Sequence, residues 1–439
     1  MNDRLLRWWS EVVLPKYATA TLGNAVWLGS STAVNGVFGA IGAAIIARAL
    51  GVEEFGVLSL VVSVMTLLEA FSDLGLSSAL SRFGSESVAG GDLARFRTLA
   101  SIVFRWRWTV AAIVILLSFV FLRPLMGYFF TQVDGRIEFL FKISLVGVVF
   151  ATLGGTFTAV YQSFKEFRTQ ALLSIGRGAS KVLLIILFVY AFSLVSLTWM
   201  LVAEILSAMV FFLAGYLFLP VRGLNLRARD RETERGLVKF ARWIALSQIF
   251  AMLATRIDLA LLGALSDATS LGLYSAAQKV IGLMTVAVVS YSSVLFIEMS
   301  SAPSSAALAR KRKEALAVVI AVIGGIGLAA LLADPIVPIL FGEKFSGAIP
   351  AFRIMCAGLA FVVAAFPTNG TLFARNRSFA FPVMSGTSIA VLVPANVMLV
   401  PEYGPVGAAI SYTLSTAAAF LVSVGLAFFL GRGGERTSV

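Results

Sequence analysis

Two basic residues, Arg256 and Lys279, lie inside apolar sequence, where a charged side chain is costly. They bound the stretch RIDLALLGALSDATSLGLYSAAQK, which we interpret as two membrane helices joined by a polar turn at 266–270. The two residues are equally far from the middle of this turn. On antiparallel helices they therefore lie at the same depth, roughly 15–17 Å below the outer surface of the membrane. This is near the middle of a hydrocarbon layer about 30 Å thick. With one nearby acid, Asp258, this pair leaves excess positive charge, and we expect it to bind an anion.

Phosphate is the anion that suits these two side chains. A guanidinium binds a phosphate through two parallel hydrogen bonds, and an ammonium adds a compact point charge. Asp258 is two residues from Arg256, on another face of the helix, so these two do not pair along it. A bridge between Asp258 and Lys279 is the alternative, and it still leaves Arg256 unmatched.

A second basic pair, Arg177 and Lys181, is spaced i, i+4 and shares one face of a predicted membrane helix. Glu204 on the following helix has a comparable depth and can pair with Lys181. Arg177 then lacks a counter-ion. One interpretation adds these residues to a basic cavity lining; the other is a structural Lys–Glu pair with Arg177 extending toward the cytoplasm.

The acidic residues in the spans are candidates for coupling to an ion. Glu69 and Asp73 are spaced i, i+4, and two close carboxylates suit the binding of a proton or a cation. Glu204 and Asp258 are further candidates. Asp73 also opens the sequence Asp-Leu-Gly-Leu, where it could simply cap or turn the helix end. Arg48, near the outer end of the first span, is either a further cavity cation or a marker of the membrane interface.

The composition indicates a polytopic membrane protein. Of the 439 residues, 59% are hydrophobic and 13% charged, against about 25% charged in soluble domains. The net charge of +12 is assigned to topology and anionic lipid headgroups rather than nucleic acid, because the basic residues cluster between apolar spans. Cys356 is the single cysteine and histidine is absent. We therefore expect no intrachain disulfide, no metal site and no enzymatic constellation.

Twelve membrane helices in an all-α fold are predicted, because a lipid environment leaves an open chain no other way to satisfy its backbone. They are placed at 23–49, 55–81, 99–122, 139–163, 170–192, 196–219, 240–264, 269–297, 315–340, 348–373, 379–400 and 404–430. The predicted domains are an interfacial amphipathic segment at 1–18, a first lobe at 19–220, a basic cytoplasmic linker at 221–239, a second lobe at 240–430 and a cytoplasmic tail at 431–439.

Most lysines and arginines outside the spans fall on one side, which we take as the cytoplasmic side of the cytoplasmic membrane, with both termini there. The two halves also share a weak repeat. Ala-Leu precedes a polar turn and a Gly-x-x-Ser opening in both, with Gly56 and Ser59 in the first half and Gly272 and Ser275 in the second. Repeats of six helices run parallel, related by a pseudo-two-fold axis along the membrane normal.

Several segments, in chain order, resemble the polysaccharide-transporter family of oligosaccharide, or O-antigen, flippases. They are ARALGVEEFG at 47–56, DLGL at 73–76, GLYSAAQK at 272–279, FGEKF at 341–345 and PEYGPVGAA at 401–409. This family lies within the superfamily that also holds multidrug-and-toxin extruders. The resemblance implies twelve helices in two lobes around a central cationic cavity, and Arg256 and Lys279 match the family's general feature of basic residues in the second lobe.

The implied function is movement of an undecaprenyl-diphosphate-linked oligosaccharide from the inner to the outer leaflet by alternating access. A coupling proton or sodium ion is expected in place of a cofactor. The partners would be the lipid-linked substrate, membrane lipids, and a polysaccharide polymerase with assembly proteins. The alternatives are a drug or cation antiporter, which needs an acid-lined cavity, a membrane glycan polymerase or ligase, which needs a large external loop, and a non-transporting scaffold.

Overall fold

The computed structural model describes residues 14–121, 135–221, 230–300, 305–374, 377 and 379–432. These residues form helices joined by short turns, and no strand occurs among them. The predicted all-α fold is therefore confirmed. Helices are the expected result, because every backbone group in lipid must be paired within its own segment.

The described residues of the first half of the chain contain seven helices. They are α1 (Leu14–Leu50), α2 (Val52–Asp73), α3 (Leu76–Ala89), α4 (Leu93–Val120), α5 (Gly135–Ser163), α6 (Phe167–Ile186) and α7 (Leu197–Leu217). A π-helical turn, Leu187–Ala191, continues α6. The closest packing within this half is between α1 and α6 and between α5 and α7.

Seven further helices occur where the structure describes the second half. They are α8 (Arg231–Leu265), α9 (Ala268–Ser300), α10 (Ser305–Leu331), α11 (Ala333–Phe341), α12 (Ile349–Ala364), α13 (Phe366–Ala374) and α14 (Ala380–Arg432). A 3₁₀ segment, Glu343–Ala348, joins α11 to α12. Helix α14 packs against both α12 and α8.

Each of the twelve predicted spans overlaps a helix of the described residues, but several bounds were wrong. The predicted span 55–81 runs across a break, because Leu74 and Gly75 both have positive φ and end α2 at Asp73. Conversely, α14 is assigned as continuous although Gly404 has φ 52° and ψ −124°. Gly404 is the first residue of the span predicted at 404–430, so the kink lies at the boundary of the last predicted span.

Nine described segments are long and apolar enough to cross a membrane by length and composition. The segment Ala380–Phe429 has 50 residues, enough for two crossings of a layer about 30 Å thick. Helices α8 and α9 carry Arg256, Asp258 and Lys279 among apolar residues.

The two halves meet most extensively where α2 crosses α9. Glycine allows this crossing. A Cβ atom at Gly272 would lie 2.0 Å from the Val52 carbonyl oxygen, and one at Gly56 would lie 2.2 Å from the Ala268 carbonyl oxygen. The repeat predicted from the sequence thus brings its two glycines to one interhelical contact. The domain bounds themselves stay a prediction.

An aromatic cluster lies beside this crossing. The Phe55 ring centroid lies 6.3 Å from that of Phe341 and 5.8 Å from that of Phe345. All three residues are buried. The helix ends at the predicted outer side therefore join the two halves through tight backbone contact and packed rings.

Candidate anion-binding cavity

A small cavity, which we call the central cavity, lies between the two halves. Helices α1, α2, α6 and α7 line it from the first half, and α8 and α9 from the second. Its charged lining residues are Lys181, Glu204, Arg256 and Lys279. Arg256 and Lys279 were predicted to share a depth and an environment, and the structure places both on this lining.

Lys181 and Glu204 form an ion pair across α6 and α7. The Lys181 ammonium contacts Glu204 Oε2, and both side chains keep partial exposure to the cavity. This geometry agrees with the interpretation in which Lys181 and Glu204 form a structural ion pair. It also leaves Lys181 on the lining, so an incoming anion can still reach its ammonium.

Arg256 and Lys279 have no carboxylate oxygen within 4.0 Å among the described residues. Lys279 is exposed to the cavity and Arg256 is partly exposed. A solvated cation within a membrane helix is expected to face a wet cavity or a bundle interior. The alternative bridge from Lys279 to Asp258 is not formed.

The charged lining carries three basic groups and one acid, a formal excess of two positive charges. Ser59, Ser63, Ser275 and Gln278 add neutral hydrogen-bonding groups. The cavity volume is about 100 Å³, which is well below the roughly 300–1,000 Å³ of a pocket for a drug-sized ligand. In this conformation the cavity has room for waters or a small anionic group, and none for an oligosaccharide.

Asp258 is fully enclosed behind this lining. Its Oδ2 atom accepts hydrogen bonds from the Tyr274 hydroxyl at 2.6 Å and the Gln278 Nε2 at 3.0 Å. The acceptor is on α8 and both donors are on α9, four residues apart. Asp258 therefore fixes these two helices against each other in the register that turns Arg256 and Lys279 toward the cavity.

Two predicted cavity cations lie elsewhere. Arg48 donates hydrogen bonds to the carbonyl oxygens of Ile339 and Leu340 at the end of α11. These carbonyls belong to the unpaired last turn of a helix, and a cation there is favourable. Arg177 lies with its Cζ 5.6 Å from the Phe211 ring centroid. Neither residue lines the central cavity.

A second cavity, the inner cavity, lies toward the predicted cytoplasmic side and has a volume of about 570 Å³. Both predicted acids, Glu69 and Asp73, line it. Asp73 Oδ1 lies 3.2 Å from Arg107 Nη1 and accepts a hydrogen bond from the Ser77 hydroxyl. Asp73 is thus neutralised by Arg107, whereas Glu69 has no cation within 4.0 Å in the part of the chain that the structure describes.

Arg107, which lies near the cytoplasmic end of the span predicted at 99–122, was not identified as a site residue. The side chain is only 2% exposed, and its Nη1 also donates to the Ser77 hydroxyl at 2.6 Å. A Cβ at Gly155 would come within 3.1 Å of Arg107 Nη2. Its position between two tryptophans at the start of an apolar run was the sequence feature that could have indicated burial.

The serines at the repeat positions were also not identified as site residues. Ser59 and Ser275 occupy equivalent places in the two Gly-x-x-Ser segments, and both line the central cavity. The repeat itself was the signal that could have found them. For metals, no group of three or more acidic or cysteine side chains suited to an ion occurs among the described residues.

The sequence of the chain matches the model of a known protein family. The model of the family described as "Polysaccharide biosynthesis protein" matches residues 21–301, which is more than half of the chain. None of the curated proteins matches the sequence.

Several solved structures have the same fold. An inward-facing multidrug resistance transporter of the MATE family has a TM-score of 0.74 at 16% identity, covering 92% of this chain and 96% of that one. The lipid II flippase MurJ in an inward closed conformation has a TM-score of 0.73 at 14% identity, covering 92% and 87%. At these identities the likeness establishes the twelve-helix transporter fold.

A third similar structure is a MOP superfamily transporter from Pyrococcus furiosus described as having a binding pocket of reverse polarity. Its TM-score is 0.64 at 15% identity, and the match covers 94% of this chain and 96% of that one. The fold is therefore shared by transporters whose pockets differ in charge, so the pocket residues of each chain must be considered separately.

Proposed function

The chain belongs to the family of polysaccharide biosynthesis proteins, and from that premise we propose that it is a flippase for a lipid-linked oligosaccharide joined through a diphosphate. The substrate moves from the inner to the outer leaflet by alternating access. The sugar crosses through the hydrated space between the halves, and the lipid tail stays in the bilayer.

The excess of two positive charges on the central cavity carries this proposal. A diphosphate that joins a lipid to a sugar has two ionised oxygens, so its charge balances that of the lining. Arg256 supplies a guanidinium fork, and Lys279 supplies a point charge; neither is occupied by a carboxylate among the described residues. A cavity for a cationic drug would need the opposite balance.

The present conformation fits a stage of the transport cycle in which the two halves are closed at the predicted outer side. The halves are in contact at the predicted outer side, where α2 crosses α9, and the larger inner cavity lies toward the predicted cytoplasmic side. Because the central cavity holds about 100 Å³, the halves must separate before the sugar can pass. The substrate can drive that change only by binding one arrangement more tightly than the other.

The test is flipping by the purified protein in vesicles, with a fluorescent polyprenyl-diphosphate sugar as the probe and a membrane-impermeant quencher to report its leaflet. The variant Arg256→Gln/Lys279→Gln removes both open cations. Hydrogen bonds to charged groups contribute about 1.5–3 kcal/mol each, so we expect flipping to fall at least about tenfold, since 1.4 kcal/mol is a factor of ten.

The matched control is Arg312→Gln/Lys313→Gln. It removes one arginine and one lysine that are both exposed at the start of α10, and it should flip at the wild-type rate. Wild-type flipping by the Arg256→Gln/Lys279→Gln variant would rule out the proposed role of the cavity.

A further inference from the structure

A basic cavity lies at the predicted cytoplasmic side, where α4 meets the start of α8, and we call it the cytoplasmic cavity. Its volume is about 550 Å³. Trp106 lines it from α4, and five residues line it from α8: Arg231, Glu234, Arg235, Val238 and Arg242. It is separate from the central and inner cavities, with which it shares no lining residue.

The arginines form one stripe on α8. Arg231, Arg235, Val238 and Arg242 follow one another at intervals of four, three and four residues, which places them on one helix face. All four are exposed. The stripe therefore presents three guanidinium groups along one side of the cavity.

The one acid in the lining is held by another arginine. Glu234 Oε1 contacts Arg105 Nη2 of α4, and both side chains are about three-quarters covered. This ion pair joins the two halves of the chain at the edge of the cavity. Arg105 balances the Glu234 carboxylate, and the exposed Arg231 and Arg235 then give the lining a positive charge that favours an anion.

The start of α8 is fixed by its N-cap. Asp230 accepts hydrogen bonds from the Thr233 hydroxyl and the Glu232 amide. The Thr233 hydrogen bond lowers the pKa of the Asp230 carboxyl below its ordinary value, so the cap is ionised at neutral pH. The arginine stripe therefore belongs to a helix whose first turn is fixed by these hydrogen bonds.

The cavity continues into a lipid-facing surface. Trp106 lines the cavity, and Trp108, on another face of α4, is exposed; tryptophans are typical of the headgroup level. Seven and eleven residues after Trp106, on the same face of α4, Ile113 and Leu117 are each 50% exposed. A ligand with a phosphate in the cavity can lay an acyl chain along this face, which a free phosphate cannot.

We propose that the cytoplasmic cavity binds the headgroup of an anionic membrane phospholipid. The guanidinium groups take the phosphate, the tryptophan lies at the glycerol level, and the acyl chains follow α4. Because α4 belongs to the first half and α8 to the second, the bound lipid bridges the two halves at the predicted cytoplasmic side.

The experiment measures lipid retention by native mass spectrometry of the full chain released from nanodiscs. The discs contain phosphatidylglycerol or phosphatidylcholine with the same acyl chains. The wild type should retain at least one phosphatidylglycerol under conditions that strip phosphatidylcholine. In Arg231→Gln/Arg235→Gln the affinity should fall about 30-fold, because each basic residue near the surface contributes about fivefold.

Two further variants keep the result interpretable. Arg312→Gln/Lys313→Gln removes equal charge elsewhere on the same predicted side and should retain the lipid as the wild type does. Val238→Glu leaves every arginine in place but adds a carboxylate at a position that is 50% exposed, and it should lose the lipid even if the arginine variant does not fold.

Three results would overturn the proposal. They are retention by Arg231→Gln/Arg235→Gln or by Val238→Glu at the wild-type level, equal loss in the Arg312→Gln/Lys313→Gln control, and retention of added undecaprenyl diphosphate with no retention of phosphatidylglycerol. The last result would assign the site to a diphosphate lipid.

Discussion

The charged residues of the central cavity differ in what each contacts within the protein. Lys181 is neutralised by Glu204, whereas Arg256 and Lys279 meet no carboxylate within 4.0 Å among the described residues. An entering diphosphate would therefore meet Arg256 and Lys279 directly, and would compete with Glu204 for Lys181. Asp258, in contrast, is occupied by Tyr274 and Gln278 and acts by positioning the two helices.

The hydrogen bond from Tyr274 to Asp258 gives a prediction about stability. Tyr274→Phe removes the 2.6 Å bond and leaves a buried carboxylate oxygen with one donor fewer. We expect the free energy of unfolding to fall by about 1–3 kcal/mol, measured by chemical denaturation in detergent micelles. Tyr403→Phe is the control, because Tyr403 is 49% exposed, and it should change stability by less than about 0.5 kcal/mol. Equal losses in both variants would contradict the positioning role.

At the scale of elements, the crossing of α2 and α9 closes the predicted outer side. Backbone atoms of the two helices touch because neither Gly56 nor Gly272 has a side chain. Beyond this crossing, Arg48 binds the end of α11, and Phe55 packs against Phe341 and Phe345. The interface thus joins α1 and α2 of the first half to α9 and α11 of the second.

Gly272→Ala should open this closure. The added Cβ would lie 2.0 Å from the Val52 carbonyl oxygen, and overpacking of this kind costs about 1–3 kcal/mol. Such a cost shifts the equilibrium between closed and open arrangements by roughly 5- to 150-fold. The measurement is labelling of Ser59→Cys, in a Cys356→Ser background, by an impermeant maleimide from the outer side, and we expect faster labelling.

Gly282→Ala on the same helix is the matched control for this prediction. A Cβ at Gly282 meets no atom within 4 Å, so labelling should stay at the parent rate. If Gly272→Ala labels no faster than Gly282→Ala, the glycine contact does not govern outer closure.

At the scale of the whole molecule, the central cavity and the inner cavity have opposite formal charge. The central cavity has a formal excess of positive charge, whereas the inner cavity holds Glu69 together with the neutralised pair Asp73 and Arg107. Under the proposed function, an anionic substrate and a coupling cation would bind at separate places. An ion that binds at Glu69 in one arrangement of the halves can bias their equilibrium while the substrate binds elsewhere.

Glu69→Gln tests this division. If a proton or sodium ion couples through Glu69, the variant should retain flipping in vesicles without a gradient but lose the acceleration that an imposed gradient gives to the wild type. The measurement compares flipping rates with and without pH and sodium gradients. Glu314→Gln, which changes an exposed glutamate, should keep the full response. An unchanged response in Glu69→Gln would leave this carboxylate without a coupling role.

Much of this protein follows from its sequence alone. Long apolar runs in a chain with 13% charged residues predict membrane helices, because the backbone must be paired in lipid. The depth of Arg256 and Lys279 follows from counting residues to the turn between them, which is a local property. For these reasons, the helices and the two open cations could be placed without coordinates.

The tertiary structure decided which charges are paired. Arg107 meets Asp73, and Arg48 meets carbonyl groups of α11 that are about 290 residues away in sequence. Such partners depend on how distant helices pack, and hydropathy and spacing carry no information about that. The same packing separates Arg177 from the cavity and encloses Asp258, because whether a buried charge serves as a ligand or as a support depends on the groups that three-dimensional folding brings within hydrogen-bonding distance.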